Sequence, residues 1–420
     1  KQSHTFLLKF HCKLSMKSLL VLITSCLVFL LPVQAREFLS EDEAGIWMVV
    51  QNQERYIRTS PRRIADEELQ HYVDELVCTI ADNLCDEIRV YVLHLPGFNA
   101  FMMPNGAMFI QSGLLLRVES ESELASVIGH EIAHFSEAHS IKNVRRWRKT
   151  ANTFAVLGAI VGAAGTVAVS SAGTYESASK SLDISNTAVG MLQAAQVFAT
   201  FQLVAYGRSD EKQADSIGLT SLHKAGFDPS ASARVWENYL LEHEAAKKEG
   251  GFSILATHPS PRSRFEELRN LAGTLSYENI YTETDPLLLL VNKFRSEWLE
   301  SEAQALHPLQ FEALISRQQL FSKLGPGYLS NLQAFAWVKY GGKQFLSRKK
   351  KQEALEKARA HYRSGDASES GLPTEAIRDW GRISQQLGFH DEAKLAFQKY
   401  LELTPDAWDA KFLRKELENY

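Results

Sequence analysis

Two histidines four residues apart, with a glutamate after the first, are the residues of this 420-residue chain whose spacing most directly implies chemistry: His130-Glu131-Ile132-Ala133-His134. On a helix, positions i and i+4 share a face, so both imidazoles can grip one metal ion while Glu131 stands beside it. Catalytic zinc keeps three protein ligands and an open position for water, whose pKa it lowers toward neutrality. A neighbouring carboxylate then takes the water's proton as attack on a carbonyl begins. Glu131 is the candidate base, and a third ligand must come from elsewhere.

The metzincin spacing would need glycine at 137 and histidine at 140, where this chain has Glu137 and Ser140. His139 lies about 140° around a continuous helix from His134, so it is expected to face away unless the helix ends there. A later segment, Tyr206-Gly207-Arg208-Ser209-Asp210-Glu211-Lys212-Gln213-Ala214-Asp215, is better suited. It sets Glu211 and Asp215 one turn apart, so that one carboxylate can ligate zinc while the other orients a ligand histidine through its ring N–H.

These groups need rigid elements to hold them. Ser120 and Glu123 have capping-box spacing, and Leu124, Val127, Ile128, Ile132 and Phe135 recur at helical period, so the motif sits on an amphipathic helix. Two further helices are expected from Ser40 to about Arg55 and from about Ala65 to Ala81. Ile88–Leu93 alternates as a strand, and Ala107–Gln111 follows the Pro104-Asn105-Gly106 turn as a second. The strand at 107–111 is expected to present a free edge to which an extended peptide adds.

The ordered set Asn99-Ala100-Phe101, Pro104-Asn105-Gly106, Ser112-Gly113-Leu114-Leu115, Glu123-Leu124-Ala125, His130–His134, Glu211–Asp215 and Thr257-His258-Pro259 resembles the HtpX/BepA-type zinc metallopeptidases over about residues 40–275. That family also includes the prenyl-protein CAAX endopeptidases and the inner-mitochondrial-membrane quality-control proteases. The resemblance implies an α+β zincin-type domain with a small sheet. It further implies one Zn2+ per chain held by His130, His134 and Glu211, Glu131 as base, and Asp215 in support of a ligand. His258, in a stiff turn before Pro259-Ser260-Pro261, could stabilise an oxyanion or gate the open metal position.

Composition sets the surroundings. The chain is 45% hydrophobic with a formal charge of −4, which suits a folded protein and offers no global basic surface for nucleic acid. Residues 1–15 precede the first methionine; Met16–Ala35 then reads as a cleavable signal peptide, with a permanent anchor or a lipidated Cys26 as weaker readings. Export suits a disulfide between Cys78 and Cys85, against the alternative that Cys78 is simply a buried apolar residue. No charge falls between Thr150 and Tyr175, after the basic, aromatic stretch Lys142–Lys149. This insert, about 150–207, is expected to be a helical hairpin over the site or on a membrane surface, in preference to one that crosses the membrane.

From about Asp285 the pattern is helical, and Trp380-Gly381, Leu387-Gly388, Ala393, Phe397, Tyr400 and Pro405 match tetratricopeptide spacing. The expected plan is therefore a mainly α chain: a metallopeptidase domain over 36–275 and an all-α tetratricopeptide-like solenoid over 286–420. With the solenoid, the chain most resembles BepA-type periplasmic proteins. That resemblance implies periplasmic endoproteolysis of unfolded or misassembled outer-membrane proteins, with assembly machinery as a partner of the solenoid and membrane-surface contact through 142–207. The alternative is a chaperone whose solenoid binds clients while the zinc site stays closed.

Overall fold

The computed structural model describes residues 41–150, 206–246, 261–277, 285–318 and 323–418. The signal-like segment 16–35, the insert 151–205 and His258 lie outside them.

Helix α1 (Glu41–Arg58) is followed by α2 (Glu67–Ala81). Asp66 caps α2 by accepting from Leu69 N–H at 2.8 Å, and the stripe Leu69, Val73, Leu76, Val77 and Ile80 is buried. A 3-10 turn (Asp82–Glu87) leads on, tied back by a Cys78–Cys85 disulfide with Cα atoms 4.7 Å apart. Strands β1 (Arg89–Leu93), β2 (Ala100–Met102) and β3 (Ala107–Gln111) form one sheet in the order β1-β3-β2. β1 runs parallel to β3, and β2 antiparallel to it. Side chains alternate as the strand period requires: Met108 and Ile110 enter the main core, whereas Ala107 and Phe109 pack with Val50 and Ile57 of α1.

This order corrects one expectation. β3 is paired on both sides, so the sheet's edges lie on β1 and β2 instead. Met103 N–H donates to Ala107 C=O at 2.8 Å and Gln111 N–H to Asn99 C=O at 3.1 Å, folding Asn99–Met103 back as a hairpin arm. A three-residue strand is too short to show alternation in sequence.

A short α3 (Ser112–Leu115) leads to α4 (Glu121–Ser136), which Ser120 caps by accepting from Glu123 N–H. Leu124, Ala125 and Ile128 of α4 are wholly buried at the centre of the core. Around them pack α5 (His139–Thr150), α6 (Arg208–Lys224), α7 (Ala231–Ala245) and α8 (Pro261–Ala272).

Among the described residues seven further helices follow: α9 (Pro286–Ala305), α10 (Pro308–Gln318), α11 (Pro326–Gly341), α12 (Arg348–Asp366), α13 (Thr374–Gln386), α14 (His390–Leu403) and α15 (Ala410–Leu417). Leu287, Val291, Trp298, Phe311 and Leu314 share the core of Leu124 and Ile128, so apolar packing runs on through α9 and α10. Asp285 ties the two regions, accepting from Leu287 N–H at the start of α9 and from Glu121 N–H at the start of α4. A second core holds Trp337, Tyr362, Trp380, Phe397 and Tyr400, where α11 packs on α12 and α13 on α14. Glu392 joins three of these helices, accepting from Arg359, Trp380 and Ser384 at 2.7–2.8 Å. Among the described residues no helix is long and apolar enough to cross a membrane.

Candidate metal centre

The site forms where α4 crosses α6, and two glycines make the crossing close. A Cβ on Gly218 would lie 2.8 Å from His130 N and 2.9 Å from Gly129 C, while one on Gly129 would lie 3.1 Å from Gly218 C=O. Backbone contact at this point lets side chains from the two helices converge one to two turns away.

The converging groups are His130, His134 and Glu211, all buried. The two Nε2 atoms are 3.0 Å apart, Glu211 Oε2 is 3.7 Å from His130 Nε2, and Glu211 Oε1 is 3.5 Å from His134 Nε2. Ligands on a tetrahedral zinc at its usual bond lengths are spaced roughly 3.4 Å apart, so this triangle, with two imidazole nitrogens and a carboxylate, fits such an ion. Glu131 is also buried, next to the first of these histidines on α4.

Neighbours hold each histidine. Asp215 Oδ1 is 3.0 Å from His130 Nδ1; a carboxylate can only accept there, so Nδ1 carries the proton and Nε2 is the lone-pair nitrogen, with Arg264 Nη2 3.2 Å from it. Arg264 is buried against both acids of α6, with Nη1 2.8 Å from Glu211 Oε2 and Nε 2.9 Å from Asp215 Oδ2, and its guanidinium lies over the Trp236 ring at 4.0 Å. Burial and the adjacent Arg264 charge lower the His130 pKa against the pull of Asp215, favouring the neutral imidazole that a metal requires. Burial alone would raise the Asp215 pKa, but Arg264 and His130 outweigh it and hold the carboxyl far below its usual range.

His134 has a different partner. α4 ends at Ser136, and Ala138 takes a left-handed φ of 53°, which turns the chain and brings His139 back under the motif. That conformation costs a non-glycine residue roughly 1 kcal/mol. The Nδ1 atoms of His134 and His139 are 3.0 Å apart, His139 Nε2 is 3.2 Å from Gln213 Oε1, and Gln213 Nε2 donates to Glu137 Oε2 at 2.8 Å. Because Glu137 only accepts, the Gln213 amide is oriented, His139 donates from Nε2, and His134 donates from Nδ1. Tyr206 stacks on the His134 ring at 3.8 Å, and burial together with the Glu131 charge keeps its phenol protonated.

Beside the centre a cleft reaches from His130 and Glu131 to apolar and aromatic walls that include Phe98, Val127, Trp236, Tyr239 and Leu268. Asn99 and Ala100, at the approach to the edge strand β2, also line it.

His130, Glu131, His134, Glu211 and Asp215 thus lie together, while Cys78 and Cys85 sit apart at the end of α2 and His258 is outside the described residues. Sequence reasoning missed Arg264, whose approach depends on how α8 packs. His139 is expected from sequence to face away unless the helix ends there; α4 does end, at Ser136, and His139 turns back onto His134. Gly129, directly before the motif, and Gly218, seven residues after Glu211, were the available signals of a close crossing.

The chain spans about half the length of the curated relatives it matches. It is 31% identical over 52% of its length to 42% of a Vibrio cholerae protein provisionally named as a beta-barrel assembly-enhancing protease. It is 26% identical over 58% of its length to 48% of the beta-barrel assembly-enhancing protease of Escherichia coli strain K12. It is 30% identical over 48% of its length to 52% of the mitochondrial metalloendopeptidase OMA1 of Schizosaccharomyces pombe. The model of peptidase family M48 matches residues 63–272, half of the chain, with every residue of the centre inside it. A buried two-histidine, one-carboxylate cluster on crossing helices and this match lead to one conclusion: the chain belongs to peptidase family M48.

Proposed function

We propose that the chain is an exported zinc endopeptidase that hydrolyses peptide bonds of unfolded or misassembled proteins. The observation that carries this reading is the buried triangle of His130, His134 and Glu211, with Glu131 next to His130 and both lining a largely apolar cleft. His130 and His134 through Nε2, and Glu211 through its carboxylate, would hold the metal. Zinc bound there supplies Lewis acidity that polarises a carbonyl and acidifies water.

The protein's own groups do the rest. Glu131 accepts the proton of the attacking water and delivers it to the departing amine nitrogen. Asp215 and His139 keep the two imidazoles in the ligand tautomer, and Arg264 balances the charge of Glu211 and Asp215. A substrate strand adds to the open edge of β2, where the ladder alternation leaves the Ala100 and Met102 backbone groups pointing away from β3. One bulky apolar side chain enters the cleft.

The names of the relatives support outer-membrane β-barrel proteins as clients, and the signal-like segment 16–35 supports a periplasmic location. The 286–420 region is the proposed tetratricopeptide-like client-binding domain. A second reading, in which client binding outweighs cleavage, is favoured by the exposed Leu395, Leu403, Trp408 and Phe412 near the end of that region. The test is metal content and casein proteolysis of the purified chain beside Glu131→Gln. Retained metal with lost cleavage supports the peptidase, and unchanged proteolysis rejects the mechanism. Client rescue in cells by Glu131→Gln, but not by Trp408→Ala/Phe412→Ala, would favour the second reading.

A further inference from the structure

The wall of the cleft is held from outside the family-matched segment. His94–Asn99 joins β1 to the edge strand β2 and carries Phe98 and Asn99 into the cleft. Helix α9 grips this loop with three residues within a turn and a half. Glu297 Oε1 is 3.2 Å from His94 Nδ1, Ser301 Oγ is 2.7 Å from His94 Nε2, and Glu302 Oε1 accepts from Gly97 N–H at 2.6 Å. Phe98, next along the chain, packs on Tyr239 and Trp236 at 5.1 and 6.0 Å between ring centroids.

Glu302 is wholly buried, which an isolated carboxylate does not tolerate. Arg117 makes its burial sustainable. This guanidinium, itself buried, donates to Glu302 Oε1 at 2.8 Å and Oε2 at 3.0 Å, to Glu242 of α7 at 2.6 and 2.9 Å, and to Gly113 C=O at 2.7 Å. The room for this arrangement depends on a missing side chain. A Cβ on Gly113 would fall 2.2 Å from Gly97 C=O and 2.3 Å from Glu302 Oε1, and Gly97 itself takes a φ of +100°. Two glycines and a paired buried acid therefore bring a C-terminal helix into hydrogen-bond contact with the loop that lines the cleft.

We propose that Glu302 is a positioning residue for substrate: by holding Gly97 it fixes the Phe98–Asn99 wall and the entry to β2, so helix α9 sets peptide affinity without touching the metal ligands. The inference rests on the peptidase reading for its catalytic consequence alone; the holding of the loop is testable without it.

The experiment uses the full chain with Glu302→Ala, Glu302→Gln and Gly113→Ala. Hydrogen exchange of the Gly97–Ala100 amides is measured beside that of the α4 amides, and kcat and KM are measured on an unfolded-protein substrate. Glu302→Ala is expected to speed exchange at Gly97–Ala100 at least tenfold with α4 still protected, and to raise KM about tenfold with little change in kcat. Glu302→Gln keeps an oxygen for the Gly97 N–H but loses the acceptor for Arg117 Nη2, so it should fall between the parent and Glu302→Ala in both readouts. Should Glu302→Ala not fold, Gly113→Ala reaches the same contact by displacement and should show the same pair of changes. Exchange at Gly97–Ala100 that stays at the parent rate, or speeds only together with α4, overturns the proposal. So does a KM that does not move. A parent chain without proteolysis sinks the peptidase reading instead, and the exchange result still decides whether Glu302 holds the loop.

Discussion

His134 and His139 are five residues apart in sequence, yet their Nδ1 atoms lie 3.0 Å from one another because the helix breaks between them at Ala138. His139 is wholly buried and passes its other nitrogen to Gln213. Such an outer partner fixes the tautomer of a ligand imidazole. His139→Phe should therefore fold and lower zinc affinity about 10–100-fold, as read by competition with a chromophoric chelator. Unchanged affinity would show that the His134 ring is held without it.

Loss of the base and loss of a ligand should separate cleanly. Glu131→Gln should retain metal and reduce cleavage of an unfolded substrate by about 10²–10⁴-fold. His134→Ala should lose the metal itself, and elemental analysis showing full occupancy would reject His134 as a ligand. Chelation of the parent should lower its melting temperature, because an ion that binds only the folded state stabilises it.

The apolar cleft makes a statement about preference. Val127 lines it on α4, so Val127→Phe should narrow it and favour small over bulky apolar residues beside the scissile bond. The ratio of kcat/KM for leucine- against alanine-containing peptides should fall about tenfold or more, in the range that single-methylene discrimination spans. A ratio identical to the parent's would remove the cleft from the substrate path.

Acid should loosen the packing of α1 on the sheet. Burial pushes the Glu54 pKa up, but hydrogen bonds from Arg89, Tyr91 and Asn105 outweigh it and hold the carboxyl below its ordinary value of 4.5. A group depressed on folding adds stability above its unfolded pKa and loses it as pH falls through the folded one. Denaturation midpoints should therefore decline below pH 4.5 in the parent, and the decline should be shallower in Glu54→Gln. Parallel pH profiles for the two proteins would exclude Glu54 as the source.

Sequence by itself determined what one helical turn or one strand can express. The i, i+4 spacing puts His130 beside His134 and Glu211 beside Asp215, Ser120 marks the start of α4, alternation marks β1, and the Pro104-Asn105-Gly106 turn marks the start of β3. Each follows from backbone geometry within a few residues, so each is legible without the rest of the chain. The tertiary structure alone decided which strands form the sheet edges, where His139 points, how Arg264 reaches Glu211 and Asp215, and that Glu302 meets Gly97 across 205 residues. Those contacts depend on how closely elements pack, on the Gly129–Gly218 crossing and on the space at Gly113, and no local period encodes them.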